Sequence, residues 1–202
     1  MVRKIKPIEV CRSDGLYKNQ SNLKEATDVV GYLAKMWSVS SPPSVGVVTF
    51  NRKQADLIEE VIENKAENDR GFRDALMRER ERTEDGEDMS FFVKNVENVQ
   101  GDERDVVVFS TTFGRNEHGT FRRNFGVLGQ AGGERRLNVA VTRARKKIVL
   151  MTSMPVAEIS NMPATRRQPA VPRDYLQAYL EYASTVSDGA ADSGRALLGC
   201  GA

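Results

Sequence analysis

The chain has 202 residues, 40% of them hydrophobic and 29% charged, which suits one soluble domain with a real core and excludes a disordered chain. Lys and Arg number 30 against 28 Asp and Glu, so the net charge of +2 argues neither for nor against nucleic acid. Cys11 and Cys200 lie far apart and there is one histidine, which excludes a disulfide scaffold, a zinc finger and a His-based triad and fits a reducing, cytoplasmic compartment. The start, MVRKIKPIEV, has no signal-peptide core, and no apolar run approaches the roughly 20 residues of a membrane span.

Ile5 to Cys11 reads as a short strand ending at the turn Ser13-Asp14-Gly15. Leu23, Ala26, Val29, Val30, Leu33 and Trp37 then fall at helical spacing, with Asn22 as N-cap and Glu25 as the partner of a capping box. The prolines of SVSSPPS end that helix. VGVVTF, Val45 to Phe50, is continuously apolar and β-branched, as expected of a strand covered on both faces, and RKQADLIEEVIENKA follows as an amphipathic helix. Residues 67–88 carry both charge signs densely and read as a solvated helical insertion followed by a loop. SFFVKNV and DVVVFSTT are further strands, and residues 115–133 read as a long Gly-rich, basic loop. GGERRLNVAVTRAR is expected as one helix and KKIVLMTS as another buried strand. Strands alternating with helices predict an open α/β sheet with ligands at the carboxyl ends of its strands. Beyond a linker-like ATRRQPAVPR, Tyr175, Leu176, Tyr179, Leu180 and Ala183 make the core-docking stripe of a C-terminal helix, and the end of the chain reads as a frayed tail.

Charge is concentrated locally. Between Arg115 and Lys147 nine basic residues face only Glu117 and Glu134, a local charge of +7. A solubility patch would look the same, but glycines at a predicted helix start favour an anion site, where backbone N–H groups and the helix dipole attract phosphate. His118 stands alone in this loop and reads as solvent-exposed.

Three segments stand in order: VGVVTFNRKQADLI, VKNVENVQGDERDVVVFST and GGERRLNVAVTRARKKIVLMTS. Together they resemble motifs IV, V and VI of superfamily 1 helicases, in the branch of the nonsense-decay RNA helicase and its DNA-directed relatives. SNLKEA resembles the N-x-x-E-A element near the start of the same domain. The resemblance covers roughly Ile5 to Ser153 and implies a RecA-like parallel sheet flanked by helices, with a C-terminal helical extension. It implies that Arg143 is the arginine finger, catalytic through charge placed on the γ-phosphate. Gln100, Gly101 and Glu103 match Q-G-x-E at the nucleotide, and Arg136 and Arg145 are further cofactor-side candidates. Glu103 could instead be a loop carboxylate paired with Arg104 or Arg143, and Arg136 and Arg145 could form structural ion pairs. Thr49, Phe50, Asn51 and Asn95 are implied nucleic-acid contacts, with Gln54 supporting that loop; the alternative is a helix-capping Asn51 and a core Phe50. Many relatives carry Thr or Ser near Asn95 and Asp near Glu97, and Lys or Arg where Asp102 stands.

A G-x-x-x-x-G-K-[ST] loop is absent, as is a strand followed by an Asp-Glu pair. The chain thus resembles the second half of a two-part motor: ATP and Mg2+ are expected on a first, N-terminal RecA-like domain, single-stranded nucleic acid (DNA favoured over RNA) across both, and little ATPase activity from this half. The expected division is a RecA-like domain at 1–155, a linker and helix at 156–187 and a tail at 188–202. The competing class is a RecA-like module that binds nucleic acid or protein without catalysis. No metal ligands are expected in this half.

Overall fold

The computed structural model describes residues 6–160 and 169–189. Its strands are β1 (Ile8–Arg12), β2 (Val45–Thr49), β3 (Thr83–Glu84), β4 (Glu87–Asp88), β5 (Phe92–Asn95), β6 (Arg104–Ser110) and β7 (Ala144–Thr152). Its helices are α1 (Leu23–Trp37), α2 (Arg52–Asn68), α3 (Arg70–Arg80), α4 (Gly133–Val141) and α5 (Pro172–Ser187). Five strands form one parallel sheet in the order β1-β7-β6-β2-β5. This is the RecA-like α/β fold. The chain winds outward from β2 to β5 and back through β6 to β7, so its direction reverses beside β2 and β6.

Alternation along the central strands builds two cores. Val106 and Val108 of β6 face one side with Val45, Val47, Val149 and Met151, against α1, α2 and α3. Val107 and Phe109 face the other with Val48 and Leu150, against α4 and α5. Continuous apolar strands are what a sheet covered on both faces requires.

The predicted solvated insertion is more structured than its charge pattern suggests. Asp69 caps α3 by accepting from the Phe72 amide, and Phe72, Ala75 and Leu76 join the core beside Trp37. The ring centroids of Trp37 and Phe72 are 5.4 Å apart. A two-residue hairpin, β3–β4, replaces the expected loop. The first strand begins at Ile8 among the described residues, and the 115–133 loop contains a 3-10 turn at Gly126–Gly129.

The helix expected through TRAR stops at Val141. Arg143 lies in the turn and Arg145 already belongs to β7, because Arg104 pairs with Ala144 and draws the chain into the sheet. At the start of α4, Gly133 is required by close approach: a Cβ there would meet the Leu128 carbonyl oxygen at 2.4 Å. The expected stripe of α5 docks: Leu176, Leu180 and Ala183 are buried in the core, while Tyr175 is 47% exposed. Helix α5 also bonds to the first strand, where the Val10 amide donates to Ser187 Oγ at 3.0 Å. The predicted linker falls partly, and the predicted tail almost wholly, outside the described residues.

Candidate functional site

Conserving the strand direction places the sequence-predicted residues on two opposite edges of the sheet. At the amino edge, the Arg104 amide donates to the Arg143 carbonyl at 3.0 Å, joining the starts of β6 and β7. The Arg143 side chain lies along the end of α4: Nε donates to the Val139 carbonyl at 3.0 Å and Nη2 to Thr142 Oγ1 at 3.1 Å. Its Nη1 is 3.6 Å from Glu103 Oε1, and Arg145 Nε is 3.4 Å from Glu103 Oε2. One carboxylate thus stands between two guanidiniums, leaving net positive charge at a solvent-accessible edge. Gly101, at φ +86°, turns the chain just before Glu103 in a conformation that L side chains rarely adopt.

Neighbouring charges are structural. Arg104 is buried, its guanidinium 5.0 Å above the Phe92 ring and its Nε donating to the Ser90 carbonyl at 2.7 Å; burial pushes its pKa below the ordinary arginine value. Asp102 pairs with Lys94 at 2.7 Å. Gln100 and Arg136 do not meet Glu103. They line a separate cavity of about 280 Å³ with Val96, Glu97, Arg135 and Val139, and Arg136 Nη1 donates to the Ala131 carbonyl at 3.4 Å. The arginine cluster therefore lies at the amino ends of the strands, not the carboxyl ends that the general rule for open sheets predicts.

At the carboxyl edge, two of the expected contacts are buried. Thr49 is fully buried and donates Oγ1 to the Asn51 carbonyl at 2.6 Å. Phe50 is 1% exposed and packs against Phe109, so its ring is core. Asn51 caps α2 by accepting from the Gln54 amide at 2.9 Å and donates Nδ2 to the Gln20 carbonyl at 2.9 Å. Asn51 thus holds the capping position of α2 and Phe50 a core position. Asn95, paired in register with Thr49, is buried, and among the described residues its Oδ1 has no hydrogen-bond partner.

Sequence reasoning passed over Arg52 and Lys53. Both are exposed on the first turn of α2, which carries no acidic residue, and among the described residues neither forms an ion pair. The signal was available: a helix N-terminus favours acids, so two bases there are electrostatically out of place unless an anion joins them. His118 is exposed, as expected.

Residues 5–155 match the AAA domain family, well over half of the chain. The chain belongs to that family. With the parallel sheet and the relatives below, it is a C-terminal RecA-like domain of the superfamily 1 helicase type. An ATP-dependent helicase of Mycoplasma genitalium is 44% identical over 140 residues, covering 68% of this chain and 12% of that protein. A homologue from Mycoplasma pneumoniae is 34% identical over 183 residues, covering 89% and 15%. The Danio rerio helicase mov-10-B.1 is 29% identical over 143 residues, covering 67% and 12%. The chain thus spans only about an eighth to a seventh of the length of the curated relatives it matches.

The AAA domain offers cationic donors at one edge and amide and basic donors at the other, and both suit phosphate. Among the described residues no three His, Cys, Asp or Glu side chains group to hold a metal ion. No helix among them is long and apolar enough to cross a membrane.

Proposed function

We infer that this AAA domain is the C-terminal motor domain of an ATP-dependent superfamily 1 helicase, with a different task on each sheet edge. The carrying observation is Glu103 held between Arg143 and Arg145 at the starts of β6 and β7. Arg143 is the arginine finger. It is preformed by the Val139 carbonyl and the Thr142 hydroxyl but only loosely tied to Glu103, so its fork is free to exchange that carboxylate for a phosphate. ATP, bound with Mg2+ on an N-terminal RecA-like domain, supplies the bond whose cleavage drives movement. Arg143 meets the charge that develops there, an effect worth about 10³–10⁵ in rate in comparable NTPases. Glu103 and Arg145 set the charge around the finger, Gly101 turns the chain toward it, and Gln100 and Arg136 border the adjoining groove.

The carboxyl edge is the single-strand track. Asn51 and the N-terminus of α2, with Arg52 and Lys53, receive backbone phosphates beside Asn95 at the end of β5. DNA is the favoured strand. The test is phosphate release together with fluorescence titration of a labelled single strand at two salt concentrations. The domain alone is expected to show negligible ATP turnover and weak binding that falls steeply with salt. Turnover near 1 s⁻¹, at the low end of common enzyme rates, or salt-insensitive binding would count against the reading.

A further inference from the structure

A carboxylate taken wholly out of water is costly unless every lone pair finds a donor. Glu25, on the first turn of α1, is fully buried. Its Oε1 accepts from Ser110 Oγ and the Thr112 amide, both at 2.7 Å. Its Oε2 accepts from the Ser153 amide and Ser153 Oγ, both at 3.1 Å. One side chain therefore ties together the ends of two adjacent central strands, β6 and β7. The expected capping box is half made: Asn22 Oδ1 accepts from the Glu25 amide, but Glu25 turns away to the sheet.

Gln54 extends the connection. Its Nε2 donates to Ser110 Oγ at 3.0 Å and to the Asn22 carbonyl at 3.1 Å, and its Oε1 accepts from the Asn22 amide at 2.8 Å. The Gln54 amide in turn donates to Asn51 Oδ1. A continuous hydrogen-bonded path thus leads from Glu25 through Ser110 and Gln54 to Asn51, and on to Gln20. Beside it, Thr112 sits at φ +68°, a left-handed conformation that a β-branched residue adopts only when its surroundings dictate it. Glu25 holds the amide of that strained residue. Joining α1 to the sheet needs no charge, since an apolar side chain would do so without the desolvation cost.

We propose that Glu25 is a positioning residue for the single-strand edge, holding the Ser110–Gly114 backbone and, through Gln54, Asn51 in the geometry that receives a nucleic-acid backbone. This rests on the strand-track reading above. Glu25→Gln is the informative variant. Each carboxylate oxygen accepts a backbone N–H, and an amide nitrogen cannot accept, so whichever way the glutamine turns it faces the Thr112 or Ser153 amide with a second donor. Ser153→Ala is the milder variant. It removes the hydroxyl's bonds to Glu25, Asn22 and Gly15 and leaves both backbone amides on the carboxylate.

The experiment is a fluorescence-anisotropy titration of a labelled deoxythymidine oligonucleotide with the full chain, with melting temperatures and amide NMR spectra of each variant. Glu25→Gln is expected to weaken binding about tenfold and Ser153→Ala about threefold, the scale of displaced hydrogen-bonded contacts. Amide shifts should move at Gln20 and Asn51 and stay fixed at Glu103 and Arg143 on the opposite edge. Wild-type affinity in a folded Glu25→Gln protein, even with a lowered melting temperature, would overturn the proposal. If Glu25→Gln does not fold, unchanged binding by Ser153→Ala overturns it. Failure of the wild-type chain to bind any strand would instead overturn the strand-track reading itself.

Discussion

Burial of Glu25 should make folding stability depend on pH in an unusual direction. Desolvation dominates its environment and outweighs the hydrogen bonds from Thr112, Ser110 and Ser153, pushing its carboxyl from an ordinary value of 4.5 up to about 7. Between those values the folded state binds a proton that the unfolded state has released, so the contribution is full below pH 4.5 and is lost as pH rises through 7. The difference corresponds to about 3 kcal/mol. The protonated acid donates its hydroxyl to a serine and its carbonyl oxygen accepts one backbone amide, while the other amide faces the weaker hydroxyl oxygen. Urea unfolding of the wild type and of Glu25→Gln at pH 5 and pH 8 isolates this group, since other titrations cancel in the difference. The stability advantage of the wild type should shrink by about 2.5 kcal/mol from pH 5 to pH 8, since part of the contribution is already gone at pH 5. A constant advantage would place Glu25 in the ordinary carboxylate range and a growing one below it, and either would contradict the burial argument.

Two further outcomes test the fold. Phe109→Ala empties the centre of one core, where Phe109 is fully buried against Phe50, and should lower unfolding free energy by about 3–5 kcal/mol with an unchanged denaturant slope. Thr112→Gly should raise stability by about 1 kcal/mol by relieving the positive φ while keeping the amide that Glu25 holds; a loss measured by thermal melting would mean that the Thr112 side chain contributes more than its strain.

Much of this architecture was legible because strand composition and helix caps are local. Val45–Phe50 and the apolar run after Asp105 announce buried strands, and Asn22 and Asn51 cap the helices that follow them. The end of α4 was not legible, since Ala144 pairing with Arg104 across the sheet overrides the helical pattern of VAVTRAR. Nor was the division of the motifs between two edges: the spacing of Asn51, Glu103 and Arg143 along the chain does not tell which strand end each occupies. Phe50 was itself an expected contact with a core position as the alternative, and only its packing against Phe109 shows that its ring turns inward. The capping-box spacing of Asn22 and Glu25 identified the helix start but not that Glu25 would reach Ser110 and Ser153, residues distant in sequence.

The most direct test of the proposed motor reading is ATP hydrolysis by a protein that joins this domain to the proposed N-terminal RecA-like domain and carries Arg143→Ala, with ATP-analogue affinity and melting temperature measured on the same protein. A finger acts on charge that appears in the transition state, so kcat should fall by about 10³-fold or more while analogue affinity and melting temperature stay near wild type. Arg143→Lys should not restore turnover, because an ammonium lacks the planar fork. Near-normal turnover in Arg143→Ala would contradict the assignment, and a collapsed melting temperature would make Arg143 a structural partner of Glu103 instead.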